Sequence, residues 1–149
     1  MSGKVIEIWE GLNILSAFVL DCSVTISWFM PDESFDFNFL DQVAEEGAIV
    51  PSLWSLEIGN VLLIAERKKR ITLEQRQKAI HILSELPIVV DTMTSNHAWL
   101  ETMELAERHN LTLYDASYLE LSLRRSLPLA TFDKSLKKAA ELSGVCVKP

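Results

Sequence analysis

Positive charge is scarce in this chain: 14 lysines and arginines stand against 21 aspartates and glutamates, a formal net charge of −7. Holding nucleic acid by broad phosphate neutralisation requires a basic surface, so a nucleic-acid substrate would have to be met by metal ions and local Lys/Arg. Cysteine is nearly absent too. Cys22 and Cys146 lie near the two ends and form no C-x-x-C pair, which removes a disulfide framework or zinc knuckle and leaves two ordinary buried thiols. No apolar run approaches the roughly 18 residues of a membrane span, and no repeat, low-complexity tract or linker divides the chain. What is present, 149 residues at 48% hydrophobic and 23% charged, suffices for one soluble domain with a single core.

Residues 1–17 fit poorly with the rest. They carry Lys4 as their one positive charge, two glutamates and no signal-peptide apolar region, so export is not expected and the chain reads as cytoplasmic. Trp9, Leu12, Ile14 and Leu15 could pack as one helical turn against the body, or the segment is a leader outside the fold. The domain proper is read as 18–149.

Strand and helix signals then alternate. Phe18-Val-Leu-Asp21 is an apolar run ending in an acid, and Ser23 opens a helical stretch from Val24 to Phe29. Ala48-Ile-Val-Pro51 repeats the pattern, with Ser52 as N-cap of a helix from Leu53 to Lys69. Thr72 and Gln75 form a capping box for a helix over 72–85, before the run Ile88-Val-Val-Asp91. Thr94 to His109 and Thr112 to Ser126 read as helices, Leu127 to Thr131 as a strand, Asp133 to Leu142 as a helix and Val145 to Val147 as a last strand after Gly144. Apolar strands alternating with helices predict an α/β fold: a parallel β-sheet with helices on both faces, in three α/β/α layers.

In such sheets ligands bind at the carboxyl ends of the strands, which singles out a few of the 21 acids. Asp21 ends the first strand and Asp133 follows the strand ending at Thr131; each could instead be only a helix N-cap. Glu57 falls on the helical wheel among Leu53, Trp54, Val61 and Ile64. A carboxylate on an apolar face must share a metal, shift its pKa or pair with a buried Arg or Lys. Asn60, one turn on, suits a residue that orients Glu57 or a water. Asp115 opens its helix beside the core-facing side, with Thr112 as a possible cap and the helix dipole as an alternative reason for its charge. Four acids on one sheet edge would repel without a divalent cation. Hard carboxylate oxygens suit Mg²⁺ or Mn²⁺, and no His or Cys cluster competes for zinc. Phosphodiester hydrolysis by a metal-activated water is the chemistry that follows.

Four blocks carry a family resemblance: Val19-Leu-Asp21-Cys-Ser23-Val, Leu56-Glu57-Ile-Gly-Asn60-Val-Leu, Leu113-Tyr-Asp115-Ala-Ser-Tyr118-Leu and Leu129-Ala-Thr131-Phe-Asp133-Lys-Ser-Leu136. Together, from about Phe18 to Val147, they resemble PIN-domain ribonucleases. The resemblance implies a single PIN-like domain and a Mg²⁺- or Mn²⁺-dependent endoribonuclease. Asp21, Glu57, Asp115 and Asp133 would form its acidic metal pocket, with Ser23, Asn60 and Thr131 as supporting polar residues. The short chain and the Tyr-Asp-Ala-x-Tyr block resemble the VapC-like branch. There a homodimeric toxin is inhibited by a small antitoxin whose tail enters the active-site groove, where an inserted Arg would complement the acids.

Other features are assigned by contrast. Arg67 to Arg70, Arg124-Arg125 and Lys134 with Lys137-Lys138 either contact RNA or form a solvated face. Trp28, Trp54 and Trp99 read as core or dimer contacts rather than base-stacking platforms, and His81, His97 and His109 show no ligand spacing. Two rival readings stand beside the nuclease. One is a catalytically silent PIN-like binding scaffold. The other is a phospho-acceptor domain resembling response-regulator receivers, built on Asp21, Asp91, Thr131 and Lys148.

Overall fold

The computed structural model describes residues 17–32 and 37–149; the packing expected of Trp9 to Leu15 lies outside them. In chain order the elements are β1 (Val19–Leu20), α1 (Cys22–Ser27), α2 (Phe37–Glu46), β2 (Ala48–Pro51), α3 (Trp54–Arg67), α4 (Leu73–Glu85), β3 (Ile88–Asp91), α5 (Thr94–His97), α6 (Glu101–His109), α7 (Leu113–Arg125), β4 (Leu129–Ala130), α8 (Lys134–Leu142) and β5 (Val147–Lys148). The strands form one sheet in the order β3-β2-β1-β4-β5, every pairing parallel.

Successive strand residues point to opposite faces, so a strand buried at every position is covered on both. All four residues of β2, and both residues of β1 and β4, are buried, which gives the expected three layers. β3, at one edge, leaves Val89 and Val90 exposed. Ala116 through Ser122 of α7 are buried without interruption. That helix therefore runs through the core, packing on α5, α6, α8 and three strands. Among the described residues no helix is long and apolar enough to cross a membrane.

The capping box of α4 is formed in both directions, Thr72 Oγ1 accepting from Gln75 N–H (3.1 Å) and Gln75 Oε1 from Thr72 N–H (2.8 Å). Elsewhere local expectation and structure differ. Helix α1 begins at Cys22, with Asp21 at its cap position and Ser23 inside it. Ser52 does not cap α3; its N–H donates instead to Thr94 Oγ1 (2.9 Å). The stretch 94–109 is two helices, separated by Leu100 at φ −122°, ψ −86°. Helix α2 was not anticipated, β4 is shorter than expected and β5 starts later. Cys22 is partly buried and Cys146 exposed, so the second thiol is not the buried one expected.

Candidate metal centre

Strand order reverses between β1 and β4, and a ligand crevice opens at the carboxyl ends of the strands at such a switch point. Asp21 follows β1 at this place, 5% exposed, its backbone N–H donating to Ala130 O across the seam (3.0 Å). Ser23 Oγ (2.6 Å) and Thr131 Oγ1 (2.7 Å) both donate to Asp21 Oδ2. The two hydroxyls in turn accept from the N–H groups of Phe132 and Asp133, each at 3.0 Å. An amide N–H can only donate, so each hydroxyl meets it with a lone pair and keeps its proton for Asp21 or, across 3.4 Å, for the other hydroxyl. With both donating to Oδ2, Ser23 and Thr131 orient the carboxylate.

Asp133 and Asp115 stand at helix N-termini. Asp133 Oδ1 accepts from Leu136 N–H (2.8 Å) as N-cap of α8; Asp115 lies in the first turn of α7, its N–H donating to Thr112 Oγ1 (3.1 Å). The capping alternatives are thus real, and they coexist with a place beside Asp21. Glu57 sits differently from expectation. The buried stripe of α3 is Trp54, Ile58, Leu62 and Ala65, while Ile64 is 39% exposed, so Glu57 occupies the margin of the apolar face and is half-buried. Among the described residues no Arg or Lys pairs with it. The hydroxyl of Tyr118, a fully buried side chain, donates to its Oε1, whereas Asn60 is exposed and does not bond to it. Tyr118 is the partner of Glu57 that residue-by-residue reading passes over. Its signal was spacing: it lies one helical turn beyond Asp115 and shares its face.

The acids feel one another. Burial pushes the Asp21 carboxyl above its usual range, against the hydroxyl bonds of Ser23 and Thr131, and the charge of Asp133 adds to it. Glu57 is raised by burial, then by Asp21 and Asp115; Asp115 is raised by burial, then by Asp21 and Asp133. The Cys22 thiol, buried beside Glu57, Asp21 and Asp115, is pushed up to about 12 and stays neutral. This is an oxygen donor set with uncompensated like charge, the chemistry that suits a hard divalent cation and not zinc. Convergence is incomplete. Among the described residues no three His, Cys, Asp or Glu side chains stand close enough to hold an ion as they are; Asp133 faces the Leu136 amide and Glu57 faces Tyr118.

The receiver reading fails on topology. Asp91 ends β3 and Lys148 ends β5, at opposite edges of the sheet, roughly 19 Å apart at four inter-strand spacings of about 4.8 Å. Asp91 is instead gripped by Arg124, whose two terminal nitrogens donate to Oδ1 (3.1 Å) and Oδ2 (2.7 Å). The same guanidinium binds Glu120 through Nε (2.7 Å), so Arg124 is committed inside the protein and not to RNA. Arg70 pairs with Asp32 (2.6 Å). Trp28 and Trp54 are core residues, whereas Trp99 is 87% exposed and is not. His97, given no role in advance, lies 3.2 Å from Glu101 and 3.7 Å from Glu120.

Comparison with known proteins places this geometry. Residues 18–142 match the PIN domain family. Over 92 residues, 62% of this chain and 67% of the relative, the sequence is 34% identical to Ribonuclease VapC1 of Mycobacterium tuberculosis, in strains CDC 1551 / Oshkosh and ATCC 25618 / H37Rv alike. Among solved structures, PAE2754 from Pyrobaculum aerophilum superposes with TM-score 0.66 at 20% identity, covering 89% of this chain and 84% of its own. FitAcB from Neisseria gonorrhoeae superposes with TM-score 0.61 at 17% identity, covering 89% and 96%. The two structures speak for the fold. The matched span contains Asp21, Glu57, Asp115 and Asp133 together with the strands and helices that carry them, and on that match the chain belongs to the PIN domain family.

Proposed function

We propose that this chain is a Mg²⁺- or Mn²⁺-dependent endoribonuclease, the toxin of a VapBC-like toxin/antitoxin pair acting in the cytoplasm as a homodimer. The observation that carries the reading is Asp21 at the switch point, held by two hydroxyls and surrounded by Glu57, Asp115 and Asp133. The similarity to a protein named Ribonuclease VapC1 supports it. A divalent cation held by Asp21 with Asp115, Asp133 and Glu57 would stabilise the negative charge that develops on the phosphate oxygens and acidify a water bound to it.

The chain's own residues prepare the site for that. Asp21 keeps its orientation because Ser23 and Thr131 both donate to its Oδ2 while the amides of Phe132 and Asp133 hold the two hydroxyls in place. Asp115 and Asp133 present charge at helix N-termini, where backbone amides favour it. Glu57 is oriented through Tyr118, anchored in the core. An antitoxin arginine entering the cleft would satisfy the same carboxylates bidentately and exclude RNA. The test is cleavage of total cellular RNA by purified protein in Mg²⁺ or Mn²⁺, with EDTA and Asp115→Asn controls. Discrete products absent from both controls are expected; no cleavage after removal of any bound partner would favour the silent scaffold.

A further inference from the structure

Three of the four acids are each preceded by a large apolar residue that the fold leaves in solvent: Leu56 before Glu57 (78% exposed), Tyr114 before Asp115 (65%) and Phe132 before Asp133 (49%). Consecutive Cα atoms are about 3.8 Å apart, so these side chains leave the backbone at the margin of the acidic site, from three separate elements. Phe132 is tied directly to its centre, its N–H donating to the Ser23 hydroxyl that binds Asp21. The Tyr114 carbonyl accepts from Ser117 Oγ (2.6 Å), within the turn that holds Asp115.

The charge of the chain gives these rings a use. With a net charge of −7, and with Arg124 engaged by two buried carboxylates, the chain has no broad excess of positive charge, and phosphate contact falls to local groups such as Lys134, Lys137 and Lys138. Stacking of bases on aromatic side chains needs no positive charge and tolerates any sequence. We propose that Tyr114 and Phe132 are base-stacking platforms flanking the nuclease centre, each ring taking one base of the RNA. Bases inside a duplex have both faces covered and cannot lie on either ring. Leu56 has no π-face and supplies only contact. The proposal rests on the nuclease reading above, and its test separates the two.

The probe is an unstructured RNA 12-mer carrying one 2-aminopurine, whose fluorescence is quenched on stacking, used single-stranded and annealed to its complement. Wild type is compared with Tyr114→Leu and Phe132→Leu, which keep an apolar side chain and lose the ring, and with Tyr114→Phe and Phe132→Tyr, which keep it. In Mg²⁺ each Leu variant should raise KM by about 5- to 150-fold with kcat changed little, from the usual worth of one base–aromatic stack. The Phe and Tyr variants should stay near wild type. In EDTA, which stops turnover, the single strand should be quenched by wild type, less by the Leu variants and not at all as duplex. Unchanged KM and quenching in both Leu variants, or equal cleavage of the duplex, overturns the proposal and assigns the rings to a protein partner. A wild type that quenches the single strand but cuts nothing in Mg²⁺ or Mn²⁺ refutes the nuclease reading and leaves the stacking surface standing.

Discussion

Replacing Arg124 by methionine should lower thermal stability sharply. One guanidinium serves two buried carboxylates: its terminal nitrogens donate to both oxygens of Asp91, and Nε and one terminal nitrogen donate to Glu120. Asp91 is 7% exposed, Glu120 4% and the Arg124 side chain 22%, so solvent does little to screen them. Methionine keeps the aliphatic stem and removes only the charge and its donors. Breaking a buried ion pair by deleting one partner costs roughly 3–5 kcal/mol; Asp91 then retains the Met93 N–H (3.3 Å) and Thr94 Oγ1 (3.5 Å), and Glu120 the His97 ring at 3.7 Å. For a chain of this size each kcal/mol moves Tm by about 2–4 °C, so a fall of roughly 6–20 °C is expected at pH 7. Calorimetry across pH separates charge from packing. In the wild type burial raises the Asp91 carboxyl but Arg124 overcomes it and holds it below its usual value, so this stability is present above the ordinary carboxylate range and lost as pH falls through the depressed value. In the variant the unpaired acid is relieved as it protonates, so the gap between the two proteins must narrow toward acid pH; a lost packing contact would leave it constant. A fall in Tm below about 2 °C, accompanied by lost RNA cleavage, would refute this account and return Arg124 to phosphate binding.

Three further outcomes concern the metal centre. Asp21→Asn and Asp115→Asn should abolish cleavage with the fold intact. Because Asp21 is raised chiefly by burial, its ionised form destabilises the fold, so in EDTA the Asp21→Asn protein should gain on wild type as pH rises from the ordinary carboxylate range through the raised value; equal melting curves at every pH would contradict this. Glu57→Gln should lose activity at equal or higher Tm, while Tyr118→Phe, which leaves Glu57 in place without its donor, should lower kcat less; loss of Tm in Glu57→Gln would indicate a purely structural acid. Thr131→Val removes a donor to Asp21 and strands the Asp133 N–H, which should cost about 1–3 kcal/mol in chemical denaturation together with activity; an unperturbed midpoint would show that the network is dispensable.

The layered fold was legible because buried parallel strands read as unbroken apolar runs, as Ala48-Ile-Val does, and because Thr72 and Gln75 carry a complete cap within four residues. Helix α2 left a weak trace. Of its described side chains Phe39 and Val43 are buried, a single i, i+4 pair, while Asn38 and Asp41 are poor helix formers. The break at Leu100 left none, since Ala98-Trp99-Leu100 contains neither glycine nor proline to mark it. Ser52 shows the opposite error: a good capping residue whose hydroxyl caps nothing, because the helix starts one residue later with Leu53 at the cap position.

The acids expose the same limit more sharply, because Leu20-Asp21 and Val90-Asp91 are nearly the same motif: an apolar parallel strand ending in a buried aspartate. Their carboxyls are displaced in opposite directions, Asp21 upward and Asp91 downward. Strand order accounts for the difference. β1 lies where the sheet reverses, so Asp21 meets Thr131 just beyond the neighbouring strand and the charge of Asp133; β3 lies at the edge, so Asp91 meets α7 near its end. That one helix serves both sites, giving Asp115 to the first from its opening turn and Arg124 to the second from its last. The strand and its closing acid do not by themselves distinguish the two aspartates; the one local difference is two residues on, where Ser23 donates to Asp21 and Met93 offers Asp91 only its amide. The distinction is made by which strands pair and how α7 is laid across them, so a carboxylate at a strand end becomes a candidate ligand only after the residues facing it have been placed.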